Sequence, residues 1–189
     1  MMKFKSFILG LVMVSSVCTV HAQTTPRNAA PAAPQPKIIV GMMVDQMRWD
    51  YLYRFQNRYT ENGFKRLLRE GFSCENTLID YSPTITACGH TCVYTGSVPA
   101  VHGIVGNGWY ERSIGKEIGC VDDESVNLVG SEKGGTGQSP HNNLATTITD
   151  QLRIASNFQS KTVGVAIKDR ASILPAGHAA TGAFWYNGQ

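Results

Sequence analysis

Lys161-Thr162-Val163-Gly164-Val165-Ala166-Ile167-Lys168-Asp169-Arg170 is an apolar run that ends abruptly in three charged residues. A run of this kind reads as a buried strand, with the charges at its carboxyl end. Lys37-Ile38-Ile39-Val40-Gly41-Met42-Met43-Val44-Asp45 has the same form and is ended by a carboxylate. It reads as a central strand of a parallel sheet, covered on both faces. Open α/β sheets bind their ligands at that carboxyl edge. Both runs therefore point polar groups at one rim.

The segments between fit this plan. Residues 46–71 carry Tyr51, Leu52, Phe55 and Tyr59 at helical spacing, a break at Asn62-Gly63, and then Phe64, Leu67 and Leu68 before Gly71. A second, weaker strand is expected over 72–79, and a helix over about 86–94. Residues 96–108 are glycine-rich and looped, 109–129 read as irregular strands, and 130–140 as a surface loop. A helix is expected over 142–156, with Leu144, Ile148, Leu152 and Ala155 on its buried face and Asp150, Gln151 and Arg153 towards the other. After the strand at 161–167, residues 182–186 are a possible fourth. This order predicts a doubly wound, mostly parallel α/β sheet that is incomplete within the chain.

Tyr81-Ser82-Pro83-Thr84-Ile85-Thr86-Ala87-Cys88-Gly89-His90-Thr91 connects the weak strand to the helix that follows. Pro83 disfavours helix at Ser82, so the loop stops there and the helix begins with a threonine hydroxyl at the junction. A helix start offers unpaired N–H groups and the positive end of the dipole, which suit a bound phosphate. Thr84 or Thr86 as a simple helix cap is the plain alternative. Three strand ends thus bring Asp45, Thr86, and Lys168 with Arg170 to one edge. A carboxylate ligates a divalent metal, and a hydroxyl beside that metal becomes a nucleophile. An amide at Asn107 and cations at Lys168 and Arg170 suit the equatorial oxygens of a phosphoryl group.

The first 22 residues form a separate object. Lys3 and Lys5 precede an apolar run from Phe7 to Val20, and Val20-His21-Ala22 supplies small residues for cleavage. This is a secretory signal peptide, which predicts a periplasmic or secreted product with no membrane association after its removal. Residues 23–36, with Pro26, Pro31, Pro34 and Pro36, read as an extended linker. Lys3 and Lys5 are two of the 17 basic residues; the remaining 15 face 14 acids, so no basic face argues for nucleic acid. Hydrophobic content of 42% is that of an ordinary packed domain. Cys74, Cys88, Cys92 and Cys120 are free to pair in an exported chain, and their pairing stays open; Cys88 and Cys92 read as small packing residues.

Val44-Asp45-Gln46, Pro83 to His90, Thr95-Gly96 through His102-Gly103-Ile104-Val105-Gly106-Asn107, and Lys168-Asp169-Arg170 together resemble the alkaline phosphatase superfamily. More narrowly they resemble exported bacterial alkaline phosphatases with a threonine nucleophile, relatives of the type I phosphodiesterase/nucleotide pyrophosphatases. The resemblance runs from about Lys37 to the last residue, with four motifs in family order. It implies zinc-dependent hydrolysis of small phosphate monoesters through a covalent phosphothreonine. Asp45 matches a Zn2+ ligand, and Thr86 matches the nucleophile, itself on a metal. Asn107 matches a phosphate-binding amide, and Lys168 and Arg170 match a pair that engages the monoester phosphoryl group. That pair favours a monoesterase, because a dianionic monoester has more charge to neutralise.

The family completes two zinc sites with later aspartates and histidines. His90, His102, His141 and His178 match none of those ligands. Residues 37–189 are therefore expected to be the amino-terminal part of a catalytic domain, inactive alone, with full activity needing chain beyond residue 189. A phosphodiesterase/nucleotide pyrophosphatase on the same scaffold, or an inactive phosphate-binding fragment, are the alternatives.

Overall fold

The computed structural model describes residues 36–131 and 135–186. The expected signal peptide and all of the linker but Pro36 lie outside the described residues. Residues 36–41 belong to one unit and those from Met42 onward to another, and each is taken by itself.

The expected strand over 37–45 is not formed. In the first unit Ile38, Ile39 and Val40 are exposed and carry no ladder. In the second, Met42 and Val44 are exposed, and Asp45 opens a turn at which Gln46 takes φ 60°. The expected strand over 72–79 is also absent, with Phe72 93% and Leu78 89% exposed. The physical reason is the same for both. A parallel strand needs hydrogen-bonded neighbours, and no described strand pairs with either segment.

The region expected to be mostly helical over 46–71 is broken into short pieces. These are α1 (Tyr51–Arg54), a 3-10 turn (Gln56–Arg58) and α2 (Phe64–Glu70). Tyr59 folds back across them, donating its hydroxyl to the Tyr51 carbonyl at 2.8 Å and setting its ring 5.0 Å from Phe64. α3 (Thr86–Thr95) agrees with expectation to one residue at its end, and stops at Gly96 in the left-handed conformation. The glycine-rich loop carries a single turn, α4 (Pro99–His102). Strands β1 (Gly108–Glu111) and β2 (Lys116–Gly119) form an antiparallel hairpin, with Trp109 opposite Ile118.

The second half builds the α/β unit. α5 (Ile148–Ala155) leads to β3 (Val163–Ala166), then α6 (Asp169–Ala176), then β4 (Gly182–Trp185). β3 and β4 are parallel, with Val165 opposite Phe184. α6 packs closely on β3, since a Cβ at Gly164 would fall 2.2 Å from the Ser172 carbonyl oxygen. The possible fourth strand is therefore real. Val163, Val165 and Phe184 stay exposed on one face of the pair.

α5 corrects the sequence reading. It starts at Ile148 rather than Asn142, and Leu144 and Ile148 are exposed while Asp150 is buried. Thr147 and Asp150 form a capping box, each bonding the other's backbone N–H. Asp150 also accepts from Ala179 N at 2.7 Å. This hydrogen bonding turns the polar side of α5 inward. Periodicity identifies the apolar face of a helix but not which face has a neighbour. Gly177, at φ 82°, makes the turn beside this carboxylate, and a Cβ there would meet Thr147 Oγ1 at 2.3 Å.

The core comprises Ala87, Ile104, Cys120, Val121, Ile173 and Leu174, with Trp109, Ala183 and Trp185 packed against it. It joins α3, the glycine loop, the hairpin end, α6 and β4. Ala87, in the first turn of α3, thus lies in this core.

Candidate active site

Ile85 precedes α3 in an extended conformation and contributes no side-chain cap. Thr86 is the first helical residue. Its hydroxyl donates to Asp45 Oδ2 at 3.0 Å rather than capping its own helix. The backbone N–H of Ala87, one of the free donors of the first turn, is taken by Asn107 Oδ1 at 3.0 Å. The cap of α3 is therefore an asparagine twenty residues downstream. Asp45 and Asn107 are exposed and Thr86 is half-buried, so this group opens to solvent.

Beneath it, histidines act as struts. His90 Nδ1 lies 2.8 Å from the Thr86 carbonyl, to which it donates. His102 is fully buried; its Nδ1 accepts from Ile104 N at 3.1 Å, which leaves Nε2–H to donate to Cys92 Sγ at 3.2 Å. This ties α3 to the loop that carries Asn107. His178 Nε2 donates to the Asn143 carbonyl at 2.9 Å, and its Nδ1 lies 3.4 Å from Asp150 Oδ2.

Lys168 and Arg170 sit at the start of α6, which packs against α3. Lys168 is exposed. Arg170 is half-buried with Nη1 3.3 Å from Asp169 Oδ1. Among the described residues no hydrogen bond joins either cation to Asp45, Thr86 or Asn107. The sequence-based set is thus brought together in two parts. Asp45, Thr86 and Asn107 form one connected group through the α3 start, and the two cations lie on the adjoining helix.

Asp45 and Thr86 offer two hard oxygen donors, which suit part of a zinc site. Among the described residues no three of His, Cys, Asp or Glu stand together as further ligands. The four cysteines among the described residues are unpaired, with Cys88, Cys92 and Cys120 buried and Cys74 exposed. Burial pushes the Cys120 thiol up to about 12, with the Arg170 guanidinium opposing it. The three buried thiols are packing residues, as expected for Cys88 and Cys92.

The sequence profile described as type I phosphodiesterase / nucleotide pyrophosphatase matches residues 39–189. The chain belongs to that family. Similar curated members include alkaline phosphatase PafA of Elizabethkingia meningoseptica, 54% identical over 97% of this chain and 32% of the relative. Alkaline phosphatase PhoV of Synechococcus elongatus is 56% identical over 88% of this chain and 30% of its own length. A protein of Myroides odoratus named as a calcium-transporting ATPase is 61% identical over 82% of this chain and 28% of its own length. The crystal structure of wild-type PafA superposes with a TM-score of 0.76 at 57% identity, covering 82% of this chain and 30% of that one. A PafA variant with a threonine, an asparagine, a lysine and an arginine substituted matches equally well, with a TM-score of 0.77. The fold of this family member is accordingly α/β of the alkaline phosphatase type, of which the chain holds a part. It spans about 30% of the length of the relatives it matches.

Three residues with defined partners in the structure carry no clear signal in the sequence. Asp150 falls on the outer face of its helix by periodicity but is buried. Gln138 lies in a loop with no periodic signal, yet donates to Asp169 at 2.7 Å. His102 matches no family ligand, and its two partners, Cys92 and Ile104, carry no sequence signal.

Proposed function

We propose that the protein to which this chain contributes is a zinc-dependent alkaline phosphatase, exported to the periplasm or beyond, that hydrolyses small phosphate monoesters with Thr86 as nucleophile. The observation that carries the reading is the Thr86 hydroxyl donating to Asp45 Oδ2 at 3.0 Å, at an open helix start. A phosphoryl group arriving there meets the positive end of α3 and the Asn107 amide.

In this reading the Thr86 oxygen bonds to phosphorus as the bond to the leaving alkoxide breaks. The Asp45 carboxylate orients the hydroxyl by accepting its hydrogen bond; the threonine proton passes to water, and the leaving alkoxide takes one up from water. Water then attacks the phosphothreonine, releasing phosphate and restoring the hydroxyl. Asn107 donates to one phosphoryl oxygen, while Lys168 and Arg170 offset the second negative charge that distinguishes a monoester from a diester. Asp45 and Thr86 would hold part of a zinc site, and the ion when bound would supply the positive charge that acidifies the Thr86 hydroxyl.

The names PafA and PhoV support the monoesterase reading, as does the order of the residue types substituted together in PafA, which is that of Thr86, Asn107, Lys168 and Arg170. The family profile itself names diesterases, so the substrate class needs a direct test. Hydrolysis of a phosphate monoester, a phosphate diester and a sulfate ester by the protein as its cells produce it should show the monoester fastest. A faster diester would assign the site to phosphodiesterase chemistry and remove the role given to Lys168 and Arg170.

A further inference from the structure

Arg170 does not stand free at the start of α6. Asp169 Oδ1 accepts its backbone N–H at 2.6 Å and lies 3.3 Å from its Nη1. The other oxygen of the same carboxylate, Oδ2, accepts from Gln138 Nε2 at 2.7 Å. Both carboxylate oxygens are thereby occupied, which fixes the rotation of Asp169. Arg170 and Asp169 are 27% and 24% exposed at their side chains, so solvent only partly competes for these bonds. The Arg170 Nε is buried and has no hydrogen-bond partner among the described residues. One Nη1 contact through Asp169 is thus what orients the guanidinium.

Gln138 is itself held. It forms an isolated antiparallel bridge with Asp122. On either side, Ser139 N donates to the Val121 carbonyl at 2.9 Å and Asp123 N to the Gly137 carbonyl at 2.8 Å. Two residues before Asp122, Cys120 N donates to the Asn107 carbonyl at 3.1 Å. The same short stretch that anchors the backbone of Asn107 therefore also anchors the residue that fixes Asp169. Lys168, by contrast, is exposed, and among the described residues its side chain has no such support.

We propose that Gln138 and Asp169 are positioning residues for Arg170, and that through it they set the preference of the site for monoesters over diesters. This rests on the reading of Arg170 as a cation that meets the monoester phosphoryl group. Losing the Gln138 amide frees Asp169 to rotate, and with it the guanidinium. Among the described residues the Asp45, Thr86 and Asn107 group shares no side-chain hydrogen bond with the relay, and the backbone bonds that anchor Asn107 do not involve the Gln138 amide, so its geometry stays as it is.

The test compares Gln138→Ala, Arg170→Ala and the double variant in the protein as its cells produce it, using one phosphate monoester and one phosphate diester. Gln138→Ala should lower monoester kcat/KM roughly tenfold and leave diester kcat/KM within about twofold. The double variant should be no worse than Arg170→Ala alone, because both changes act on one interaction. Gln138→Glu, which keeps the size of the side chain but faces a carboxylate with a carboxylate, should be at least as poor as Gln138→Ala and provides the same readout if the alanine variant misfolds. Additive losses, or equal losses on both substrates, would overturn the positioning role while leaving the proposed activity standing. If Arg170→Ala itself leaves monoester hydrolysis unchanged, the reading of Arg170 fails, and the positioning role with it.

Discussion

The side-chain oxygen of Asn107 accepts the backbone N–H of Ala87 at 3.0 Å, and this settles which end of the amide faces outward. An N–H needs an acceptor, so Oδ1 is committed to the helix and the NH2 is left to donate. Asn107→Asp keeps the acceptor but loses the outward donor. Monoester turnover should fall by about 10²–10³, as for other oxyanion donors, with stability changed by less than about 1 kcal/mol. Asn107→Ala loses both functions and should also cost about 1 kcal/mol of stability. Steady-state kinetics with thermal melts would check both, and an aspartate variant as active as the native protein would remove Asn107 from substrate binding.

Thr86 is separable from the fold. Among the described residues its hydroxyl bonds only to Asp45, while its carbonyl is braced by His90. Thr86→Ser should retain a phosphorylated species on brief incubation with a monoester, detected as added phosphate in the intact mass after acid quench. Thr86→Ala should show none, and its kcat should fall by on the order of 10³–10⁶. A phosphorylated alanine variant would place the nucleophile elsewhere.

His102 links pH to stability. Burial holds its imidazole below the ordinary histidine value, so the folded state resists a proton that the unfolded chain accepts. Stability should be full above about pH 6.5, fall as pH drops below that, and level off beneath the depressed folded value. Urea unfolding at pH 8 and pH 5 should show this loss, and His102→Gln should show less of it. His102→Ala, which strands the Ile104 N–H, should cost about 2–4 kcal/mol at pH 8. An identical pH dependence in native and glutamine variants would refute the assignment.

Asp150 is 3% exposed, and burial alone would raise its carboxyl. Bonds from Thr147 N, Ala179 N, the Thr147 hydroxyl and His178 outweigh that and hold it below the usual carboxylate value. Its contribution to stability should be present above about pH 4 and be lost as pH falls towards the depressed value. Asp150→Ala should cost about 2–4 kcal/mol, since it removes a capping box and leaves buried donors unmet. A loss under about 0.5 kcal/mol in urea unfolding would show that α5 does not depend on this carboxylate.

Local chemistry made the site legible before the fold. Pro83, the small residues after Thr86 and the glycines around Asn107 each dictate a turn, a helix start or a close approach, and α3 begins where they place it. The charged end of 161–170 likewise marks the β3–α6 junction, because an apolar run and three charges cannot share one strand environment. Tertiary context decided the rest. Residues 37–45 are apolar enough for a central strand but form one only where neighbours exist to pair with them. The faces of α5 were inverted because a buried carboxylate with four donors outweighs an apolar stripe that has nothing to pack on. The Gln138–Asp169–Arg170 relay has no sequence signal, since its members meet across about thirty residues through a bridge that only folding creates.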